Sequence, residues 1–533
     1  MLAQAHTFTI DGLLARHVAV EVDVRRGLPC FTIVGLADTA VREARERIHA
    51  AIANSGFDFP AGRITANLAP GDLRKAGAGL DLALACALLA ASGQLRGDGL
   101  ARVALFGELG LDGSVRAVRG TLAVAHATRR AGLRTLALAG ARAREATLID
   151  GLDVAVVESL RSAAGVLCGD AGDPLPACAS EPRPGVGCDG AGGAACGAGG
   201  NGAGGGTPGV GSGACAGLDL ADVRGQAHAV RALVIAAAGA HNLLLSGPPG
   251  VGKTMLAQRL PSILPPLGTA EAVEVTRIHA LHAAGVRSLV RARPFRAPHH
   301  TATVAGLLGG ARPGSVGEAV LAHHGVLFLD ELTEFSRASL ESLRQPLEDG
   351  RVVIARASHS SAYPARFMLV GATNPCPCGY AGVEDRCSCG AAAIARHRRR
   401  LSGALLDRID LLVELQLERA APAGPTVSSA QARAAVAEAR ERQARRLAGE
   451  PVSVNAHMDA RMLARHVRID ERARQLLELA RRRGLLSGRG QHRVLRVART
   501  VADLDASAHV GARDVAAALA LRPDGAAGGE RAA

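Results

Sequence analysis

The chain has 533 residues, enough for roughly three or four domains that each bury a core, and 48% of it is hydrophobic, as in a folded protein. No apolar run free of Arg, Gly or Pro reaches a bilayer span, and the start MLAQAHTFTIDG lacks the layout of a secretory leader, which excludes a helical membrane protein and points to a cytoplasmic location. The net charge of +13, with a pI near 9.9, favours a polyanionic partner, although lysine stands only at Lys75 and Lys253, so part of the arginine excess is compositional.

From the N-terminus, short apolar runs at 18–24, 31–34, 102–106 and 136–138 read as strands, and 37–54, 80–91 and 120–131 as helices. This alternation predicts an α/β domain over 1–167. Residues 168–217 collapse into Gly and Ala, as in GCDGAGGAACGAGGNGAGGGTPGVGSG, and cannot build a core; a flexible linker is expected. Its cysteines, Cys168, Cys178, Cys188, Cys196 and Cys215, lack ligand-like spacing.

An ATPase core is expected over 218–419. The apolar run Leu243-Leu244-Leu245 leads into Gly247-Pro248-Pro249-Gly250-Val251-Gly252-Lys253-Thr254, the strand, glycine loop and helix start of a P-loop. Glycines let successive N–H groups face phosphates, Lys253 reaches the β/γ oxygens, and Thr254 offers its hydroxyl to Mg²⁺. The nucleotide is therefore expected to be a nucleoside triphosphate, ATP. In a chain that otherwise writes its cations as arginine, Lys253 marks a place where a guanidinium would overfill the cradle.

Gly325-Val326-Leu327-Phe328-Leu329-Asp330-Glu331 reads as a buried parallel strand ending in two carboxylates. Asp330 is expected to hold Mg²⁺, and Glu331 to orient and deprotonate the attacking water. A third strand from Phe367 ends in Asn374, expected on the γ-phosphate side as sensor 1. In LLDRID, Arg408 is expected to act as an arginine finger towards a neighbouring subunit, the internal alternative being a salt bridge to Asp407 or Asp410. A helical lid is expected over 420–533. Arg489 in it is the first choice for sensor 2 and Arg493 the second, with Arg496 and Arg499 structural.

Cys376, Cys378, Cys387 and Cys389 form two CxC pairs that suit a small tetrahedral Zn²⁺ site, with free thiols as the alternative. The pairs His299-His300 and His323-His324 are not expected to bind a metal, because neighbours on a strand point to opposite faces. Glu438/Arg442 and Glu441/Arg445 stand at i,i+4, so the Arg-rich helix 431–447 is expected to present an ion-paired, solvated face.

The string RPFRAPHHTATVAGLLGGARPGSVGEAVLAHHGVLFLDEL, then LRQPLEDGRVVIAR, GATNPCPCG and LLDRID, resembles the Mg-chelatase-like AAA+ family of bacteria known as YifB or ComM, over nearly the whole chain apart from the linker. The resemblance implies an AAA+ P-loop core with a parallel sheet and a helical lid, working as a hexameric motor. For ComM it implies a helicase that drives branch migration while incoming DNA is integrated in natural transformation. It places the roles on Lys253, Thr254, Asp330, Glu331, Asn374, Arg408 and Arg489. AAA+ rings grip substrate with loops between the P-loop helix and the second carboxylate strand, so Arg293, Phe295, Arg296 and His299, and Arg356 on a hairpin over 351–356, are expected to contact DNA. With no Trp and 2% aromatics, that contact would run through phosphates without sequence preference.

LAPGDLRKAGAGLDLALACALLAASG and FGELGLDGSVRAVRGTLAVAHA resemble the Lon-protease-like (ribosomal S5 domain 2-like) domain at the front of such ATPases. The nucleophile position of Lon holds Gly79 here and the lysine position falls near Leu122, so a non-proteolytic module is expected. Lys75 is the lysine to probe there, a surface residue being the simpler expectation. The chain departs from the family at Gly488 and Gly490, at Ala404 and at His397. A metal-chelatase motor subunit and an ATP-dependent protease are the alternative functions.

Overall fold

The computed structural model describes residues 1–35, 39–73, 75, 77–169, 217–282, 288–310, 315–356, 359–383, 386–416 and 427–522. The expected linker, with Cys178, Cys188, Cys196 and Cys215, lies outside the described residues except at its two ends. The chain divides into two compact units, Met1–Val210 with His279–Leu289, and Gly211–Ile278 with Val290–Ala533. Among the described residues no helix is long and apolar enough to cross a membrane.

The first unit is built on a seven-stranded mixed sheet. Strands β1 (Leu2–Asp11) and β2 (Leu14–Arg25) form an antiparallel hairpin in which Asp11 pairs with Leu14 across Gly12 at φ 60°, a conformation a side chain would strain. With β3 (Cys30–Val34), β4 (Arg63–Ala69), β5 (Val103–Phe106), β8 (Thr135–Leu138) and β9 (Asp153–Val156) the order is β3-β4-β2-β1-β5-β8-β9. The short strands β6 (Glu108–Leu109) and β7 (Val115–Arg116) pair apart from it. Along β2, Val18, Val20 and Val22 alternate inward, and the helix Asp81–Ala91 is buried on every side. Asp81, at the start of that helix, is matched by Arg47 at 2.8 and 3.2 Å.

Three positions of this unit bear on its expected role. Lys75, expected at the surface, is fully buried and donates from Nζ to the Pro70 carbonyl; desolvation pulls its pKa down. A Cβ on Gly79 would lie 2.5 Å from the Phe106 ring, and Leu122 is core. The two positions matched to a protease dyad therefore hold a close contact and a packed aliphatic.

In the second unit β10 (Leu243–Ser246), β11 (Phe295–Arg296), β12 (Val326–Leu329), β15 (Met368–Thr373) and β16 (Leu411–Glu414) make a parallel sheet in the order β11-β12-β15-β10-β16, while β13 (Arg351–Arg356) and β14 (His359–Pro364) form a separate hairpin. β12 and β15 are buried at every position, as near-continuous apolar runs in a covered parallel sheet should be. Helices Ala227–Gly239, Ser429–Arg446, Gly488–Leu504 and Ala512–Ala520 contribute to one core with Leu243, Leu245, Phe328, Val370 and Leu411, so residues from both sides of the expected boundary at 420 pack together. The ion pairs Glu438–Arg442 (3.2 Å) and Glu441–Arg445 (3.8 Å) line the outer face of Ser429–Arg446 as anticipated.

A buried polar latch ties the sheet to these helices. His241 stands 3.3 Å from Asp410 Oδ2 and 2.8 Å from Thr500 Oγ1, and Asp410 also accepts from the Asn242 N–H at 3.3 Å. Burial pushes the Asp410 pKa up, but His241, Arg496 and the Asn242 N–H pull harder, leaving it below its usual value of 3.8. A group so depressed stabilises the fold above pH 3.8, and that contribution is lost as pH falls through the folded value. Asp410→Asn should therefore cost about 1–3 kcal/mol at neutral pH in urea unfolding followed by circular dichroism. The gap from the wild type should narrow below about pH 4.

Candidate functional site

After β10 the chain turns through the glycine loop, with Gly250 and Gly252 at φ 81° and 93°, into helix Lys253–Ile263. Gly247 is fixed by crowding, since a Cβ there would stand 2.7 Å from the Leu415 carbonyl oxygen. Lys253 Nζ donates to the carbonyls of Gly247 (2.6 Å) and Pro248 (2.9 Å) and to Asn374 Oδ1 (2.9 Å). Burial lowers its pKa, opposed by the charges of Asp330 and Glu331.

Thr254 Oγ1 donates to Asp330 Oδ2 at 2.8 Å. Glu331 follows in the left-handed region, φ 49°, a conformation that costs a non-glycine residue energy and that collects at functional sites. The turn separates the two carboxylates: Asp330 faces Thr254, while Glu331 Oε2 stands 3.7 Å from His300 Nδ1. Pro249, Gly250, Gly252, Lys253, Thr254, Asp330, Glu331, Thr373 and Asn374 line one cavity of ≈ 350 Å³. A hydroxyl and a carboxylate in contact suit Mg²⁺, and N–H groups at a helix start suit phosphate oxygens.

The order β12-β15-β10 makes this convergence possible, because parallel strands end on the same edge and three consecutive neighbours deliver Asp330, Asn374 and the P-loop side by side. Asn374 is held from behind by a residue that sequence reasoning noted only as a departure. His397, buried on helix Ala391–Arg398, donates from Nε2 to the Asn374 carbonyl at 3.1 Å.

Arg408 and Arg489 do not line the cavity. Arg408 pairs with Glu348 at 2.6 Å and donates to the Ala404 carbonyl at 2.9 Å; neither Asp407 nor Asp410 is its partner, because Arg493 takes Asp407 (3.0 Å) and His241 takes Asp410. Hydrogen bonding from Arg408, and then the charges of Arg408 and Arg489, hold Glu348 below the usual carboxylate range. Arg489 is exposed at the helix start capped by Ser487, and Arg499 is an internal brace on Asp503. Gly490 has a packing reason, since a Cβ would lie 2.6 Å from the Arg522 guanidinium.

The expected DNA contacts fare differently. Arg293 is buried, donating to the carbonyls of Pro265 and His324 at 2.8 Å and to Glu271 at 3.0 Å, beside a second cavity of ≈ 370 Å³ that Arg366 and Arg440 also line. Phe295 stacks on Phe328 at 5.9 Å in the core, and Arg296 forms a bidentate pair with Glu318 at 2.6 and 2.9 Å. Arg293 is held by three internal acceptors and Phe295 packs against the core, so both are structural, and Arg296 is already neutralised. The Arg356 side chain lies outside the described residues. The exposed arginines that the sequence reading passed over are Arg396, Arg398 and Arg399, on the helix that clamps Asn374. Their signal was the cluster RHRRR itself.

The paired histidines at 323–324 are not on a strand. His324 turns through φ 56°, and both rings reach Glu274 at 3.2 Å. His323 Nδ1 accepts the Arg366 N–H (3.0 Å) and its Nε2 faces Glu274, and the ligand atoms of Glu274, His323 and His324 lie within 4.8 Å of one another, so the strand argument against a metal does not apply. The four cysteines do gather: Cys376 to Cys378 is 3.3 Å, Cys378 to Cys387 is 3.7 Å, and all four sulfurs lie within 4.8 Å of one another.

Residues 219–422 match the family described as magnesium chelatase, subunit ChlI; residues 20–141 match subunit ChlI of Mg-chelatase, and 426–522 its C-terminal part. The uncharacterized protein YifB of Escherichia coli is 40% identical over 512 residues, covering 95% of this chain and 94% of its own. Competence protein ComM of Haemophilus influenzae is 40% identical over 537 residues, covering 98% and 97%. A 168-residue stretch, 29% of this chain and 38% of the relative, is 32% identical to the Holliday junction branch migration complex subunit RuvB of Paenarthrobacter aurescens. The chain belongs to the YifB/ComM family of Mg-chelatase-like AAA+ ATPases, which implies use of a nucleotide and Mg²⁺.

Glu331→Gln should keep nucleotide binding and lower turnover by about a hundredfold or more, read by phosphate release against binding of a fluorescent nucleotide. Arg293→Ala should act on stability instead, by about 1–3 kcal/mol in chemical denaturation, because it removes the donor to the Pro265 and His324 carbonyls and one partner of Glu271.

Proposed function

We propose that this protein is an ATP-dependent DNA motor that migrates branches during uptake and recombination of DNA in natural transformation, working in the cytoplasm as a ring of six subunits. One observation carries the motor reading. The cavity holds a cation, a metal-binding pair, a carboxylate and an amide in one place, yet the arginine that would neutralise the transferred phosphoryl, Arg408, stands outside it. A site complete but for an arginine is suited to receive one from a neighbour, which makes hydrolysis depend on assembly.

In this reading Lys253 and the glycine loop hold the phosphates of ATP, Thr254 and Asp330 hold Mg²⁺, Glu331 activates water, Asn374 senses the γ-phosphate, and Arg408 acts in trans with Arg489 beside it. DNA as the partner is supported by the likeness to competence protein ComM and to the branch migration subunit RuvB, together with the +13 charge. With Arg293, Phe295 and Arg296 occupied, phosphate contacts fall to the exposed Arg396, Arg398 and Arg399 and to the hairpin carrying Arg356. The first unit serves as a Lon-like assembly module without proteolysis, since Gly79 and Leu122 supply neither nucleophile nor amine. The chelatase family match supports a second reading, a motor that drives metal insertion into a tetrapyrrole.

ATP-dependent strand release from a labelled three-stranded branched DNA, with Lys253→Ala as control, tests the proposal. Release by the wild type alone is expected; no release, with turnover indifferent to DNA, would overturn it in favour of the chelatase motor. Mixing Arg408→Ala with Glu331→Gln protein should restore part of the turnover that each lacks alone, which only an arginine acting between subunits can do.

A further inference from the structure

The two CxC pairs stand at a structurally sensitive point. Cys376 is two residues past Asn374, and Cys389 lies just before Gly390, the N-cap of the helix whose His397 clamps the Asn374 carbonyl. Between them, Gly379 at φ 87° backs directly onto the P-loop, where a Cβ would stand 2.7 Å from Pro249 Cδ and 3.8 Å from Asn374 Cγ. The segment therefore closes a circuit from Asn374 through the cysteines to His397 and back to Asn374, with the phosphate loop resting on it.

The sulfurs have the arrangement of a tetrahedral ligand set. Four thiolates at about 2.3 Å from one zinc stand about 3.8 Å apart. Here the separations are 3.3 Å for Cys376–Cys378, 3.9 Å for Cys376–Cys387 and 3.7 Å for Cys378–Cys387, with Cys389 inside the same 4.8 Å group. No pair is at disulfide distance. Cys376 is buried and its sulfur accepts the Ala381 N–H at 3.2 Å, the outer-shell hydrogen bond a metal-bound thiolate takes.

We propose that Cys376, Cys378, Cys387 and Cys389 bind one Zn²⁺ as a tetrathiolate, and that this ion fixes the circuit holding Asn374 and Pro249, so that nucleotide turnover depends on a metal that never touches the nucleotide. The cysteines are positioning residues, acting through Asn374 and the P-loop. The second half rests on the reading of Asn374 as a working part of the ATPase site; the first half does not.

The test uses the full chain. Metal analysis of the purified protein should give one zinc per chain, and Co²⁺ substitution should give thiolate charge-transfer and tetrahedral d–d bands. Cys378→Ser and Cys387→Ser should lose metal and bands, the exposed Cys30→Ser should keep both, and Cys389→His, a ligand-competent change, should retain zinc if the serine variants fold poorly. Zinc removed by a thiol reagent and chelator should lower ATP turnover tenfold to a hundredfold, the order of loss for a displaced polar group, with recovery on adding zinc back under reducing conditions. A metal-free wild type with four reactive thiols at the cluster, or zinc retained in both serine variants, would overturn the site. Zinc present, yet its removal leaving turnover unchanged, would overturn the coupling while leaving the motor proposal untouched.

Discussion

The 2.9 Å hydrogen bond from Lys253 Nζ to Asn374 Oδ1 joins the loop after β10 to the end of β15, and the rest of the site is arranged around keeping those two strand ends adjacent. Adjacency follows from the parallel pairing of Leu243 to Ser246 with Val370 to Thr373, which brings both strands to the same edge in register. β12 on the other side of β15 adds Asp330 by the same logic. Gly371 leaves room for the Leu244 and Leu332 side chains, each of which would have an atom 3.0 Å from a Cβ there. Sheet packing is thus what sets the chemistry: a shift of one strand would separate ammonium from amide.

The ammonium also explains an oddity of composition. Lys253 makes three short hydrogen bonds to two carbonyls and an amide in a half-buried loop, a geometry open to a compact donor with freely rotating N–H groups and closed to a planar fork. Lys75 belongs to the same class, buried and bonded to a carbonyl. Both lysines of this arginine-rich chain therefore sit where an ammonium is enclosed by backbone oxygen.

The parts legible in the sequence were those written by local rules. The glycine loop, the carboxylates after an apolar strand and the polar end of the next strand each carry their signal within about ten residues, and the structure brings all three to one cavity. What was hidden depends on long-range packing. An arginine in RPFR has the same letter whether it faces a ligand or three internal acceptors, and only the distant Pro265, His324 and Glu271 decide which of these Arg293 does. The strand Arg63–Ala69 has an alternating pattern too short to stand out until β2 and β3 flank it. His397 looked like a departure because its reason, the Asn374 carbonyl, is 23 residues away. The histidine pair at 323–324 was excluded as a metal site by assuming a strand; the structure removes that ground, since both rings meet Glu274 with ligand atoms within 4.8 Å of one another.

The ion pair between Arg408 and Glu348 bears on how a ring of these chains would work. Glu348 is about 60% exposed while Arg408 is about 14% exposed, so the pair is open to water on the acid's side. Such pairs are worth about 0–1 kcal/mol. In the proposed ring, an incoming triphosphate would offer the guanidinium more negative charge and several acceptor oxygens in place of one carboxylate. The hydrogen bond to the Ala404 carbonyl does not have to break for this, because it uses Nη1 while Glu348 holds Nη2. In the proposed ring, Glu348 would be the partner that Arg408 gives up in exchange for a neighbour's nucleotide.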